Sequence, residues 1–194
     1  PSHGKTTFLF NLMLNMIKEE EDKTFLFFSY EETRKQLALK IISNLSGDVL
    51  DDNQNLKQIE NYFKGAHGDN SKLSGAKLTL ENYFSGKRLN LVDTPYHVGD
   101  LADQLSLLNG QCNIGAVFID YIQKVKIKGK YGTRQLELQK ISEKILETAK
   151  TLSLPIVLGC QLGRDKEKRD KVRLDNLREA GDIEQDAHLV IGLY

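Results

Sequence analysis

The sequence predicts an α/β fold, a mostly parallel twisted sheet flanked by helices on both faces. Two observations predict it. Short apolar runs alternate with helical patterns along the chain, and such alternation builds a parallel sheet covered by helices. In addition, the run Thr24-Phe25-Leu26-Phe27-Phe28-Ser29-Tyr30 is too apolar for a strand with one wet face and fits one covered on both.

Taken in order, residues 6–17 read as a helix rich in Phe, Leu and Met on most faces, which should be buried against a sheet. A charged turn at residues 19–23 leads into the strand just described. Further strands are expected at 89–92, 116–119, 156–160 and 189–193. Between them, helical patterns cover 33–45, more weakly 52–63, then 98–108 and 134–152. In the last, Leu138, Ile141, Ile145, Ala149 and Leu152 step by three or four and form one apolar stripe. Residues 65–75, rich in Gly, Asn, Asp and Ser, read as a surface loop. Residues 124–132 read as a second loop, carrying Lys124, Lys126, Lys128 and Lys130 directly after a strand. There is no internal repeat and no low-complexity tract.

A length of 194 residues suits one domain with a sizeable core. Basic and acidic residues both total 27, so no overall field draws the protein to a polyanion, and any such site must be a local patch. Cys112 and Cys160 lie far apart without metal or redox spacing, and His3, His67, His97 and His188 show no ligand spacing. No apolar run approaches the roughly 20 residues needed to cross a bilayer, and nothing resembles a signal peptide. The expectation is a soluble cytoplasmic domain with no membrane partner.

Four constellations carry chemistry. Pro1-Ser2-His3-Gly4-Lys5-Thr6-Thr7 has the phosphate-gripping end of the motif G-x-x-x-x-G-K-S/T at the start of a helix. Backbone N–H groups there converge on an anion and the helix dipole favours negative charge. Gly4 permits close backbone approach, Lys5 reaches the β- and γ-phosphates, and the Thr6 hydroxyl suits Mg²⁺. The first glycine of the motif and the strand that feeds it would precede Pro1, so the chain is expected to be part of a longer one. Next, Ala116-Val117-Phe118-Ile119-Asp120 is an apolar strand ending in an acid, which puts a carboxylate at the ligand-binding edge of the sheet. Asp120 is the candidate for supporting the metal, with an ordinary turn or helix-cap aspartate as the alternative. Third, Ser29-Tyr30-Glu31-Glu32 ends a strand and could supply a carboxylate that activates water. Position alone does not rank Glu31 above Glu32. Fourth, Gln161 ends the 156–160 run and is a candidate γ-phosphate sensor, against the alternative of a glutamine that merely satisfies backbone groups.

Together these residues resemble the C-terminal, RecA-like P-loop ATPase domain of DnaB-type replicative DNA helicases. Pro1-Ser2-His3-Gly4-Lys5-Thr6 is similar to the family's P-S-x-G-K-T. Phe28-Ser29-Tyr30-Glu31 resembles F-S-L-E, whose glutamate is the catalytic carboxylate, and this favours Glu31. Asp93-Thr94-Pro95 matches a D-T-P, and Ile119-Asp120-Tyr121-Ile122-Gln123 resembles I-D-Y-L-Q. Gln161-Leu162-Gly163-Arg164 is similar to Q-L-N/S-R, and the segment from Leu177 to Ala187 resembles L-R-E-S-G-x-I-E-Q-D-A.

The resemblance implies one motor domain over residues 1–194 that hydrolyses ATP with Mg²⁺ and moves on single-stranded DNA. It implies a homo-hexameric ring with nucleotide between subunits, with primase and a helicase loader as further partners. Ser2, His3, Gly4, Lys5, Thr6, Thr7 and Lys40 would bind the nucleotide, with Lys5, Glu31 and Gln161 in the chemistry. Thr6 and Asp120 would serve the metal. Arg178, Glu179 and Gly181 match the family's DNA-contacting segment, and the four lysines of residues 124–132 fall where another channel loop lies. Lys40 stands where the family often has an arginine stacked on adenine, and His188 where it usually has an acid. The trans-acting arginine would follow Tyr194. The rival readings are another RecA-superfamily ATPase, recombinase-type or KaiC-like, and a ring scaffold that binds ATP without unwinding.

Overall fold

The computed structural model describes residues 4–47, 53–65, 70–161 and 181–193. Helix α1 (Lys5–Glu19) leads to strand β1 (Thr24–Ser29), and helices α2 (Arg34–Ser46), α3 (Asn53–Phe63) and α4 (Ser71–Ser85) precede β2 (Leu89–Val92). Then come α5 (Val98–Asn109), β3 (Ile114–Asp120), a 3-10 turn at Ile122–Lys124, α6 (Arg134–Leu152), β4 (Ile156–Leu158) and α7 (Gly181–Asp186). The four strands pair in the order β2-β1-β3-β4, all parallel. The predicted parallel sheet with helices on both faces is therefore what forms. Among the described residues no helix is long and apolar enough to cross a membrane.

The period of two along a strand divides the core into two halves. Phe25 and Phe27 of β1, with Ala116 and Phe118 of β3, face a cluster built by Phe10 and Met13 of α1, Ile41 of α2 and Leu80 of α4. Leu26, Phe28, Val117 and Ile119 point the other way, onto Leu101 of α5, Ile141 of α6 and Ile183 of α7. Burying β1 and β3 on both faces explains why neither alternates apolar with polar residues. The Phe27 ring links the first half, with its centroid 4.6 Å from Phe10 and 6.3 Å from Phe118.

Two expectations need correcting. Residues 65–75 are not one loop, because α4 starts at Ser71, capped by the Asn70 side chain, which accepts from the Leu73 N–H at 3.2 Å. Leu73, Ala76 and Leu80 form its buried stripe, and the polar composition around Gly75 concealed it. The run 189–193 forms no strand. Although β4 is an edge strand with one side unpaired among the described residues, this run does not pair with it, and Leu189 and Ile191 are 78% and 57% exposed. Helices α1, α2, α3, α5 and α6 lie within a few residues of their predicted spans, α7 lies outside any predicted span, and β4 stops two residues short of Cys160.

Candidate nucleotide and metal site

The first turn of α1 is entered through Gly4, whose φ of 70° is the left-handed conformation that glycine adopts without steric cost. Its carbonyl accepts the Phe8 N–H at 2.8 Å, so the helix is wound from its first residue, with the N–H groups of that turn left for an anion. Thr6, one residue into the helix, sends its hydroxyl to Asp120 Oδ2 at 2.5 Å across 114 positions of sequence. The two candidate metal residues are thus in contact. Lys5 lies beside them, its ammonium 5.3 Å from the centre of the Tyr121 ring. Thr7 is exposed on the same turn. Ser2 and His3 lie outside the described residues.

Asp120 is 4% exposed, and burial holds its carboxyl above the usual aspartate range. The Thr6 hydroxyl and the Lys5 charge pull the other way, while Glu32 and Glu31 add to the rise. A second cation near Asp120 would therefore relieve a real electrostatic deficit. The donors suit Mg²⁺, which takes oxygen ligands, keeps several waters and needs only one or two protein groups beside phosphate. Among the described residues no group of three or more His, Cys, Asp and Glu gathers into a conventional all-protein metal cage.

Asp120 is pinned from two sides. Its carbonyl accepts the Tyr30 N–H at 3.0 Å, joining the ends of β3 and β1. On the other side the chain beyond β4 passes so close that a Cβ at Gly159 would lie 3.0 Å from Asp120 Oδ1 and 3.3 Å from the Tyr121 Cβ. Gly159 leaves room here that any side chain would crowd, a role that its place in the sequence does not announce.

The turn after β1 separates the two glutamates. Ser29 Oγ accepts the Glu32 N–H at 2.9 Å, and the Glu32 carboxylate pairs with the Lys40 ammonium. Lys40 is thereby placed on Glu32. The Glu31 carboxylate is exposed and, among the described residues, forms no hydrogen bond or ion pair. The turn is held from behind by α2, whose N-terminus carries a reciprocal Thr33–Gln36 cap. Asp93 Oδ2 adds to it by accepting the Arg34 N–H at 2.8 Å. The Asp93-Thr94-Pro95 motif thus acquires a structural task, fixing the helix that follows Glu31.

Gln161 lies beyond β4 with its side chain exposed. Its backbone is gripped by Gln123, which sequence reasoning had placed only as the last letter of a motif.

In the loop after the 3-10 turn, Lys124, Lys126, Lys128 and Lys130 are all exposed, whereas Val125 is buried and Ile127 half-buried. This alternation turns the ammonium groups outward. Lys126 is tied by its carbonyl to the Val98 N–H at 2.8 Å, and Lys128 pairs with Asp100 at 2.6 Å. Arg178 and Glu179 lie outside the described residues. Gly181 opens α7, which docks on α6 through buried Ile183 and through Asp186, the acceptor of the Ser142 hydroxyl at 2.6 Å.

Comparison with known proteins bears on this arrangement. A family profile described as the DnaB-like helicase C terminal domain matches residues 1–194. The chain is 34% identical over 199 residues to the replicative DNA helicase DnaB of Haemophilus influenzae, and 31% identical over 200 residues to that of Mycoplasma genitalium. It is 33% identical over 198 residues to a probable plasmid replicative DNA helicase of Chlamydia psittaci. In each case all of this chain is covered but only 40% of the relative. A solved ATPase domain superposes with a TM-score of 0.80 at 26% identity, over 96% of this chain and 64% of that one. A second structure, of a DnaB-like replicative helicase and its interactions with primase, superposes with a TM-score of 0.80 at 22% identity, which shows the shared fold. It covers 96% of this chain and 43% of that one.

Proposed function

The chain belongs to the DnaB-like helicase C-terminal domain family, and from that premise we propose that it is the ATP-hydrolysing motor of a replicative DNA helicase. The observation that carries the proposal is the buried Asp120 carboxylate bonded to the Thr6 hydroxyl at the mouth of α1. A structural aspartate gains nothing from desolvation with a single hydroxyl partner, whereas a metal-supporting one is poised by it.

In this reading the first turn of α1 and Lys5 bind the phosphates of ATP. Thr6 and Asp120 hold Mg²⁺, which when bound neutralises charge on the phosphates. Glu31, exposed just beyond β1 and unpaired among the described residues, takes the proton of the attacking water, and Gln161 responds to the γ-phosphate. Lys40, paired with Glu32, keeps that second carboxylate out of the reaction and is the residue from which contact with the nucleotide base is expected. Single-stranded DNA binds the lysines of the 124–132 loop and the Arg178–Gly181 segment, through phosphate contacts independent of sequence. The chain spans 40% of the length of the relatives it matches. The homo-hexameric ring and the primase and loader partners are accordingly read across from the family.

Strand displacement by the full-length protein tests the proposal. Expected is ATP-dependent unwinding of a forked duplex, lost in Lys5→Ala. Steady ATP hydrolysis with no unwinding in either polarity would reject the helicase and leave a different RecA-like ATPase.

A further inference from the structure

The parallel ladder between β3 and β4 ends where β4 ends, yet the pairing of the two segments continues. Beyond the last strand pair, Ile119 with Leu158, the Gly159 N–H donates to the Ile119 carbonyl at 2.8 Å, and the Ile122 N–H donates to the Gly159 carbonyl at 2.9 Å. There the backbone of residues 122–124 coils into the 3-10 turn and can no longer face its neighbour. The Gln123 side chain takes over. Its Nε2 donates to the Gln161 carbonyl at 2.8 Å, and its Oε1 accepts the Gln161 N–H at 3.1 Å. A carboxamide carries the same donor and acceptor as a peptide group, so Gln123 supplies one further rung by side chain. Nε2 also approaches Cys160 Sγ at 3.0 Å.

The backbone of Gln123 is held from the opposite direction. Arg134 Nη2, at the start of α6, donates to the Gln123 carbonyl at 2.6 Å and to the Val125 carbonyl at 3.4 Å. Glu137 orients that guanidinium from one turn along, at 2.6 Å. Gln123 and Val125 flank Lys124, the first of the four lysines. One side chain therefore connects the segment bearing Gln161 to the root of the lysine loop, and one guanidinium fixes that root to α6.

We infer that Gln123 is a positioning residue: it holds the Gln161 backbone in place beyond β4 and passes displacement of Gln161 to the lysine loop. This rests on the helicase reading above, in which Gln161 meets the γ-phosphate and the lysines meet DNA.

The test uses the full-length protein with Gln123→Glu, which keeps the acceptor and loses the donor, Gln123→Leu, which loses both, and Arg134→Gln, which cuts the link at its other end. ATP hydrolysis is measured with and without single-stranded DNA. Expected is a roughly 3- to 30-fold fall in the ratio of DNA-stimulated to DNA-free rate, with the KM for ATP within about twofold of the parent. Exchange of the Gln161 amide should accelerate in Gln123→Leu and not in Gln123→Glu. A stimulation ratio within about twofold of the parent in all three variants overturns the inference, as does an unchanged Gln161 amide in Gln123→Leu. A parent without DNA-stimulated turnover rejects the helicase reading instead, and the amide exchange then still decides whether Gln123 holds Gln161.

Discussion

At the end of β3 the Asp120 carboxylate is almost wholly buried, bonded to Thr6 and overlaid by Gly159, whereas a few residues later every lysine of the 124–132 loop stands in solvent. The two regions are consecutive in sequence and share Tyr121, whose ring lies 5.3 Å from the Lys5 ammonium and 5.9 Å from that of Lys124. They differ in how charge is handled. The first keeps a desolvated carboxylate at a cost in stability and gains preorganisation for a small, exacting ligand. The second keeps hydrated cations on flexible stems, which suits a polyanion gripped at many weak points.

The contrast can be broken at its exacting side first. Glu31→Gln is expected to lower kcat by about 10²- to 10⁴-fold while ATP still binds, measured by steady-state turnover alongside nucleotide titration. Glu32→Gln, which only strips a partner from Lys40, should stay within about fivefold of the parent. Equal losses in both would mean that the wrong glutamate has been given the chemistry.

The tolerant side should respond more mildly and with salt. Replacing Lys126, Lys128 and Lys130 together by alanine should weaken single-stranded DNA binding and reduce the slope of log affinity against log salt by about 2. Anisotropy titrations at several salt concentrations measure this, and an unchanged slope would remove these lysines from the DNA contact. Asp100→Asn should tighten DNA binding severalfold, on the order of one released ion pair, because Lys128 is spent on Asp100 in the free protein.

The smallest effect concerns stability. Burial raises the Asp120 pKa, so in the nucleotide-free protein the stability of its protonated form is fully present below the unfolded pKa and is lost as pH rises through the folded one. Asp120→Asn should therefore stabilise that protein by ~1 kcal/mol near pH 7, with the gain vanishing toward pH 4. Thermal melts across pH measure it. A variant less stable than the parent at neutral pH would show that Asp120 is held for structure.

Much of this was legible in the sequence. The sheet could be read because β1 and β3 are apolar on both faces, and α6 because its stripe is regular over several turns. The candidate site could be read where its residues sit in short contiguous motifs at strand ends. What escaped was long-range and carried by side chains. Asp93 capping Arg34 spans 59 positions and Gln123 meeting Gln161 spans 38, and no local pattern marks either pair. Helix α4 escaped for another reason: its buried stripe is thin, with Gly75 and several polar residues at its start. The run 189–193 misled because composition reports a preference for strand and says nothing of whether the run will reach a sheet and bury a face there.

Gly159 has neither charge nor hydrogen-bonding side chain, yet it belongs to the candidate metal site by exclusion. A single methyl group there would press on the Asp120 carboxylate and on the Thr6 bond behind it. In the site proposed above, a survey of substitutions scored by activity would then file position 159 beside the acids and the lysine, although it brings no side chain to the ligand. The shape of the site is partly written in a residue whose contribution is the room it leaves.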